Sequence, residues 1–417
     1  MVATLPLRVT SAQTPQATPS LAAPSILVEP AVTRRDERFR VSVGLFSPDD
    51  EITIEATIIV NGATFGSSRA TYVVSDWGFV DCSVHRPVDG TFDEPDAMGF
   101  VWSARSRGFV DSILGPHEVQ FEVIHNDTVV ATAMASRTGV PDDLVRESID
   151  VPDLIADYYA PAGSESQPAI MVLGGSEGGL PLRNVPSLLA MHGYSALGVA
   201  YFGLGGLPDA LENIPLEYFA SAIAWLQARP EVDRDRIGVI GYSRGGELAL
   251  LLGAYYPELG AAISVAGSGV VHSGIDWSDF SRPQFPGWTW QGEPIPYVDE
   301  STTVDDPASV ERVTIPVETI NGPVMLIAGE ADELWPSAGL SQFAWDRLRT
   351  AYRAWPDEFL TYPGAGHLIQ PPYQPMNFAR SFNGLPFGGN ARDDTYAGAN
   401  SWQAILNMLA WRFETGM

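Results

Sequence analysis

The chain has 417 residues, 45% of them hydrophobic and 10% aromatic, which excludes wholesale disorder and predicts two domains rather than one small domain. Its 51 Asp and Glu residues against 24 basic residues give a net charge of −27, which disfavours binding to nucleic acid or to anionic membranes. All 24 basic residues are arginine, so functions that need a P-loop, kinase or Schiff-base lysine are excluded.

Residues 1–24 are rich in Ala, Pro, Thr and Ser and are interpreted as a flexible tail. They contain no apolar core of signal-peptide length, so the expected location is the cytoplasm. No apolar run in the chain approaches the ~20 residues of a membrane helix, so no membrane insertion is expected. The acidic surplus without lysine is typical of proteins adapted to high salt or encoded in GC-rich genomes.

Residues 25–137 predict an all-β, immunoglobulin-like sandwich domain. Hydrophobic and polar residues alternate over Arg38–Phe46 and Ile52–Val60, and an Asn-Gly turn dipeptide closes the second run. His117–Ala133 predicts two further strands around an Asn-Asp pair. The single cysteine, Cys82, excludes an internal disulfide and a multi-cysteine zinc site, and its strand-like neighbours favour a buried filler over a reactive thiol.

Residues 138–417 predict an α/β domain of catalytic type with a doubly wound, mostly parallel sheet, joined through a linker at Gly139–Asp143. Short buried strands alternate here with amphipathic helices. The predicted strands are Ala169–Leu173, Ser195–Tyr201, Ile237–Ile240, Ala261–Ala266, Val324–Ala328 and Glu358–Tyr362, and the predicted helices are Val185–His192, Leu216–Ala228 and Glu247–Tyr256.

A G-x-S-x-G motif, Gly241-Tyr242-Ser243-Arg244-Gly245, lies between a predicted strand and a predicted helix, which is the context of a nucleophile elbow. Side chains at 241 and 245 would collide with the neighbouring strand and helix. The tight turn forces Ser243 into a strained geometry with its hydroxyl exposed at the sheet edge. The alternative is a Gly-rich turn in which Ser243 only caps the helix.

A serine nucleophile needs a base, and in this fold the chain order is Ser, then Asp or Glu, then His. Of the six histidines, His272 and His367 follow Ser243. His367 is the favoured base because it lies in a Gly-rich loop after a predicted strand. His272 follows its strand directly, with no acid-bearing strand between it and Ser243.

The acid that orients the base is expected after the strand Val324–Ala328, at the carboxyl edge of the sheet. Asp332 is favoured because it has the Gly-x-x-Asp spacing that is usual after this strand. Glu330 and Glu333 are its competitors.

The oxyanion hole is expected to use the amide of Arg244, directly after the nucleophile. The second donor is expected in the Gly-rich loop 174–179, where the Ser176 amide is favoured. Gly175 and Glu177 of this loop are candidate substrate-binding residues. A dinucleotide-binding loop is disfavoured because the G-x-G-x-x-G spacing is absent.

The stretch Trp277–Pro296 is unusually aromatic. One interpretation is an acyl-binding wall or lid over Ser243, with Trp288 and Trp290 as substrate contacts. The alternative is loop packing between the domains.

Nearly the whole chain after the tail resembles the acyl-CoA thioesterase and bile-acid-CoA:amino-acid N-acyltransferase family. Motif blocks from both predicted domains carry the resemblance. They are Asp76–Asp81, Asp89–Phe92, Asp96–Ser103, Leu216–Phe219, Gly241–Leu248, Ile320–Val324, Leu334–Ser337 and Tyr362–His367.

The resemblance implies a β-sandwich packed on an α/β-hydrolase domain, with a triad on Ser243, Asp332 and His367. It also implies hydrolysis rather than transfer, because the family's acyltransferases use cysteine as nucleophile. Arg244 stands where the family usually has lysine, but that residue contributes chiefly its amide. We therefore expect a serine acyl hydrolase, an acyl-CoA thioesterase, acting on a small-molecule acyl thioester or ester without a cofactor or metal.

Three alternatives to acyl-CoA hydrolysis stay open: acyl transfer to an amino-acid amine, hydrolysis of an ester that carries no CoA, and a catalytically silent acyl-ligand-binding protein. The absence of lysine favours the second alternative, because only arginines such as Arg34 and Arg35, or backbone amides, could then bind the phosphates of CoA.

Overall fold

The computed structural model describes residues 23–106, 116–163, 166–180, 184–299, 306–378 and 380–414. Residues 1–22 of the predicted tail lie outside the described residues. Residues 139–143, the predicted linker, form no strand or helix and separate two regions with different architectures.

In its described residues, the first region consists of two antiparallel sheets and one short helix. A small sheet has the strand order β1-β3-β6, and a larger one has the order β2-β10-β9-β4-β5-β7, with β8 also paired to β5 and only β2 and β10 parallel. The elements are β1 (Ser25–Glu29), β2 (Val32–Arg34), β3 (Arg40–Gly44), β4 (Glu51–Val60), β5 (Ala63–Val73), β6 (Phe79–Asp81), β7 (Asp89–Gly90), α1 (Gly99–Trp102), β8 (Arg105–Ser106), β9 (His117–His125) and β10 (Thr128–Thr138).

Alternation along β4 builds the core of this sandwich. Ile52, Ile54, Ala56 and Ile58 are buried while the residues that alternate with them are more exposed, and β9 contributes Phe121 to the same core. Cys82 packs in this core with no exposed surface, and burial raises the pKa of its thiol to about 12. Cys82 is therefore a filler rather than a reactive thiol.

The second region is built on a central sheet with the strand order β11-β12-β14-β13-β16-β17-β20-β21. All neighbouring strands from β14 to β21 are parallel, and β11 and β12 are antiparallel additions at one edge. The strands are β11 (Leu144–Val151), β12 (Leu154–Pro161), β13 (Gln167–Leu173), β14 (Ser195–Ala200), β16 (Val232–Tyr242), β17 (Leu259–Val265), β20 (Val324–Gly329) and β21 (Glu358–Tyr362).

Helices cover both faces of the central sheet, as a doubly wound sheet requires. Met171 and Leu173 point to the face covered by α3, α4 and α6, whereas Ile170 and Val172 point to the face covered by α2 and α7. The helices are α2 (Asn184–Met191), α3 (Glu217–Gln227), α4 (Arg244–Tyr255), α5 (Pro307–Val313), α6 (Ser337–Thr350) and α7 (Ala391–Glu414).

Short elements lie in the loops that connect the strands and helices of this region. They are β15 (Ile214–Pro215), β18 (Trp288–Trp290), β19 (Glu293–Pro294), a 3₁₀ turn (Val317–Thr319), β22 (Ser381–Phe382) and β23 (Leu385–Pro386). This strand order is that of an α/β hydrolase, so the predicted fold class is confirmed. The structure differs from the prediction in three ways: the first region contains α1, the edge strands β11 and β12 precede the first strand predicted from sequence, and helices α5, α6 and α7 were not predicted.

Candidate active site

Ser243 lies in a strained turn between β16 and α4. Its backbone has φ 55° and ψ −123°, a conformation that only the surrounding structure can maintain. A Cβ at Gly241 would lie 1.8 Å from the carbonyl oxygen of Gly245, and one at Gly245 would lie 2.2 Å from that of Gly174. The two glycines of the motif are therefore required by close backbone contacts.

The hydroxyl of Ser243 faces an imidazole. Ser243 makes no side-chain capping hydrogen bond to α4, and its Oγ lies 3.0 Å from Nε2 of His367. Nδ1 of His367 lies 2.8 Å from Oδ2 of Asp332. The structure thus brings these three predicted residues together in a hydrogen-bonded chain, with Nδ1–H donating to the carboxylate and Ser243 donating to Nε2.

The carboxylate of Asp332 is held on both oxygens. Oδ1 accepts from the amides of Leu334 (3.0 Å) and Trp335 (3.2 Å), and Oδ2 also accepts from the Ser337 hydroxyl at 2.7 Å. Its competitors Glu330 and Glu333 are exposed at the surface and make no hydrogen bond to His367. The donors fix the orientation of the carboxylate, which in turn fixes the imidazole.

The loop that carries His367 is held by residues that sequence reasoning missed. The amide of Gly366 donates to Oδ1 of Asp394 at 2.7 Å, and the amide of His367 donates to the carbonyl of Phe387 at 2.9 Å. Burial raises the pKa of Asp394 to about 6, with Arg380 acting in the opposite direction. No motif marks Asp394, because its role comes from the fold of α7 against this loop.

The predicted oxyanion donors flank Ser243. Within the described part of the chain, neither the Arg244 amide nor the Ser176 amide has a hydrogen-bond acceptor. Ser176 lines the cavity at Ser243, and the indole of Trp277 donates to its carbonyl at 2.5 Å. A Cβ at Gly175 would lie 2.9 Å from Cβ of Ser243, so only glycine permits this approach. Their roles in catalysis stay predictions.

A largely apolar cavity of about 330 Å³ opens over Ser243. This volume is in the range of small-molecule sites. Besides Ser243 and His367, it is lined by Ser176, Glu177, Tyr242, Val265, Ala266, Trp277, Leu334, Leu368, Gln370, Phe378 and Phe387.

The prediction that Trp288 and Trp290 contact substrate is wrong for this structure. Trp288 has no exposed surface and packs in the core, and the ring of Trp290 packs against Tyr255 and Tyr256. The aromatic stretch thus serves mainly packing. Only its first member, Trp277, lines the cavity.

Glu247, one turn into α4, is a buried carboxylate that the sequence did not single out. It has no exposed surface and accepts from Trp288 Nε1 (2.7 Å), His272 Nδ1 (3.0 Å) and the His272 amide (3.2 Å). Its Oε1 also lies 3.2 Å from Nη2 of Arg244. His272, the disfavoured candidate base, is therefore a hydrogen-bond partner of Glu247, and Glu247 links α4 to the aromatic stretch Trp277–Pro296.

A second cleft, of about 690 Å³, adjoins the first at Glu177 and Trp277. Its other carboxylates are Asp209, Glu212 and Asp276. Arg282 also lines it, but its guanidinium is engaged by Glu212 at 2.9 Å and Asp276 at 3.0 Å. The mouth of the candidate site therefore has an acidic character.

Among the described residues, no group of three or more His, Cys, Asp or Glu side chains is placed to hold a metal ion. In the same part of the chain, no helix combines the length and the apolar character needed to cross a bilayer.

Comparison with known proteins extends this picture. Residues 214–413 match the family described as BAAT / Acyl-CoA thioester hydrolase C terminal, and residues 36–151 match the Acyl-CoA thioester hydrolase/BAAT N-terminal region. Acyl-coenzyme A amino acid N-acyltransferase 1 of Mus musculus is 28% identical over 91% of this chain and 95% of its own. Acyl-coenzyme A thioesterase 2, mitochondrial, of Homo sapiens is 26% identical over 93% of this chain and 84% of its own.

Among solved structures, a putative dienelactone hydrolase from Klebsiella pneumoniae subsp. pneumoniae is 18% identical, with a TM-score of 0.45 over 64% of this chain and 98% of its own. The fold assignment rests instead on the strand order and the elbow described above. The two family matches follow each other along the chain and together take in most of both regions. The chain belongs to the acyl-CoA thioester hydrolase/BAAT family.

Proposed function

We propose that this protein is a serine acyl hydrolase that cleaves acyl-CoA thioesters to free acid and CoA through an acyl-serine intermediate. The observation that carries the proposal is the chain of hydrogen bonds from Ser243 through His367 to Asp332, at a strained elbow beside an apolar cavity. The names of the relatives, which include thioesterases and N-acyltransferases, support an acyl-CoA substrate.

In the first half-reaction, Oγ of Ser243 attacks the acyl carbonyl carbon while its proton passes to Nε2 of His367, 3.0 Å away. The tetrahedral oxyanion accepts hydrogen bonds from the amides of Arg244 and Ser176. As it collapses, the carbon–sulfur bond breaks and the departing thiolate takes the proton from His367. An acyl ester remains on Ser243.

In the second half-reaction, water attacks the acyl ester and gives a proton to His367. Collapse of the second tetrahedral intermediate breaks the bond to Oγ, returns the proton to Ser243 and releases the acid. Asp332 stabilises the imidazolium in both steps through the 2.8 Å contact with Nδ1. Loss of one oxyanion donor typically lowers kcat by roughly 10²–10³.

Hydrolysis of an ester that carries no CoA is a second candidate, favoured by the acidic cleft beside the site. The CoA leaving group carries phosphates, whereas the cleft presents Asp209, Glu212 and Asp276 and an arginine already engaged by two of them. A neutral leaving group avoids this repulsion. Transfer of the acyl group to an amine is the third outcome that product analysis separates.

The test compares wild type with Ser243→Ala on acyl-CoA esters of graded length and on p-nitrophenyl esters of the same acids. We expect Ser243→Ala to lower kcat/KM by roughly 10⁴-fold or more. Ser281→Ala is the matched control, because its hydroxyl contacts only the surface residue Asp279. Activity retained by Ser243→Ala would overturn the proposal.

The relative kcat/KM for thioester and ester decides between the two leaving groups. Mass spectrometry of products formed with glycine or taurine present separates free acid from amide. Failure of wild type to react with a fluorophosphonate probe, together with acyl-ligand binding, would support a silent binding protein.

A further inference from the structure

A cluster of cationic and polar side chains lies buried where the sandwich meets the central sheet. Arg137 near the end of β10 and His117 at the start of β9 are direct cross-strand partners. Both line a small cavity together with Asn184, the first residue of α2, and Tyr373. The cavity has a volume of about 10 Å³, which is about enough for one water molecule.

Arg137 is the least satisfied charged group in this cluster. Only 2% of its surface is exposed, and Nη1 donates to the carbonyl of Tyr373. Nε and Nη2 are buried without a hydrogen-bond partner, and in the described part of the chain no carboxylate lies within salt-bridge distance of Arg137. Burial and the neighbouring guanidinium of Arg35 lower the pKa of Arg137 to about 9, while the carboxylate of Asp36, beyond salt-bridge distance, acts in the opposite direction. A buried guanidinium without an anion is strongly unfavourable.

His117 adds a second unsatisfied group to the same cavity. Its surface is 4% exposed and Nε2 has no partner. Burial and the charges of Arg137 and Arg35 lower the pKa of His117 to about 3, so the imidazole is neutral near pH 7. A neutral imidazole protonated on Nε2 donates a hydrogen bond there. The amino-terminal end of α2, beginning at Asn184, adds its positive partial charge.

We propose that this cavity binds one monovalent inorganic anion of the size of chloride, held by Nε and Nη2 of Arg137 and by Nε2 of His117. The unpartnered donors belong to two residues that line one small cavity, and a negative charge there compensates a guanidinium that has no carboxylate within salt-bridge distance. The cavity is too small for a tetrahedral oxyanion. The bound anion joins β9 and β10 of the sandwich to α2 of the hydrolase region.

A water molecule in the same place is the competing occupant. Water would satisfy the N–H groups and the buried carbonyl oxygen of Asn184, which also has no partner. However, a water molecule carries no net charge and leaves the guanidinium of Arg137 without an anion within salt-bridge distance. Exchanging the amide atoms of Asn184 would turn its NH₂ group toward the anion.

The direct test uses crystals of the full chain grown with sodium bromide in place of sodium chloride. We expect one anomalous bromide peak within hydrogen-bond distance of Arg137 and His117. Density at this position without anomalous signal would identify water and would overturn the proposal.

The solution test measures the Tm of the full chain as chloride replaces gluconate at constant sodium concentration. Specific binding to the folded state raises the Tm of wild type by roughly 2–4 °C. Arg137→Met should lose this chloride-specific increase. His117→Leu, which keeps the guanidinium, should raise the half-saturating chloride concentration roughly tenfold.

Arg40→Gln is the matched control, because Arg40 is exposed and pairs with Asp81 away from the cavity. It should respond to chloride as wild type does, which removes general salt effects from the comparison. If His117→Leu and wild type give the same chloride dependence, the proposed site is wrong even where Arg137→Met fails to fold.

Discussion

Buried charged groups differ between two regions of this protein in whether the chain supplies their hydrogen-bond partners. Beneath the candidate active site, the buried carboxylates of Asp332 and Glu247 each accept hydrogen bonds from three or more donors of the chain. At the junction between sandwich and central sheet, the buried guanidinium of Arg137 and the imidazole of His117 keep donors without acceptors. Donors within the chain compensate the charge of the two carboxylates. The guanidinium of Arg137, in contrast, needs an anion from outside the chain.

This difference distinguishes groups that folding alone holds in place from a group that needs a bound ligand. Asp332 and Glu247 need nothing beyond folding to be held in place, which suits groups that position a nucleophile and its base. Arg137 reaches a comparable state only when an anion is bound. Stability should therefore depend on a specific anion at the junction but not beneath the active site.

The largest expected effect comes from removing the charge of Asp332. Asp332→Asn keeps an oxygen for the amides of Leu334 and Trp335 but cannot hold the same tautomer of His367. We expect kcat to fall by roughly 10⁴-fold with the fold retained. The measurement is steady-state turnover beside Glu333→Gln, an exposed neighbour, and a loss of less than tenfold in Asp332→Asn would contradict the assigned role.

The second prediction compares how substitutions of Glu247 and of Arg137 change the free energy of unfolding. Glu247→Gln leaves Arg244 buried without its carboxylate and should lower the free energy of unfolding by roughly 3–5 kcal/mol in chloride and in gluconate alike. Arg137→Met in gluconate removes an uncompensated charge and should change it by less than about 1 kcal/mol. Chemical denaturation of both variants in both salts measures this, and equal losses in gluconate would break the comparison.

The third prediction concerns the pH dependence that Asp394 imposes. Its folded-state pKa of about 6 lies above the ordinary value of 3.8, so the folded chain binds this proton more tightly than the unfolded chain. The resulting stabilisation is fully present below about pH 3.8 and is lost as the pH rises through about 6. Over the whole range it amounts to about 3 kcal/mol, of which about 1 kcal/mol falls between pH 5 and pH 7.

Asp394→Asn does not titrate and serves as the reference for this effect. The free energy of unfolding of wild type, relative to the variant, should decrease between pH 5 and pH 7. A relative increase over that interval would mean that Arg380, rather than burial, dominates the ionisation of Asp394.

The smallest effect is expected from Trp277→Phe. The substitution keeps the apolar lining of the cavity but removes the hydrogen bond to the Ser176 carbonyl. A single bond of this kind contributes about 1 kcal/mol, so kcat/KM should fall roughly fivefold. Trp290→Phe is the control, because Trp290 packs outside the cavity, and an equal loss in both variants would assign the effect to packing.

The sequence predicted the parts of the site that local patterns specify. The G-x-S-x-G motif required an elbow for steric reasons, and the chain order of nucleophile, acid and base selected Asp332 and His367, which the structure brings to Ser243. Helix α7 was missed although it holds the loop of His367. Gly398 interrupts its helical signal, and this glycine is needed because a Cβ there would lie 2.1 Å from the carbonyl oxygen of Gln370.

Other features depend on tertiary packing and leave no local trace. The sequence identifies an aromatic segment but does not show which way Trp288 points. In the structure, Trp288 is buried and its indole N–H donates a hydrogen bond to Glu247. Likewise, Arg137 and His117 become neighbours only through the pairing of β9 with β10 and their packing on α2. Their lack of acceptors is visible only in three dimensions.

The buried thiol of Cys82 has a practical consequence for enzymology. With its pKa raised to about 12 and no lysine in the chain, neither a thiolate nor a side-chain amine competes for an electrophile near neutral pH. Stoichiometric labelling by a reactive acyl donor or an organophosphorus reagent then counts competent molecules directly. The fraction of working enzyme then follows from intact mass, without correction for off-site adducts on cysteine or lysine, and multiplying it by the total protein concentration gives the concentration of active sites.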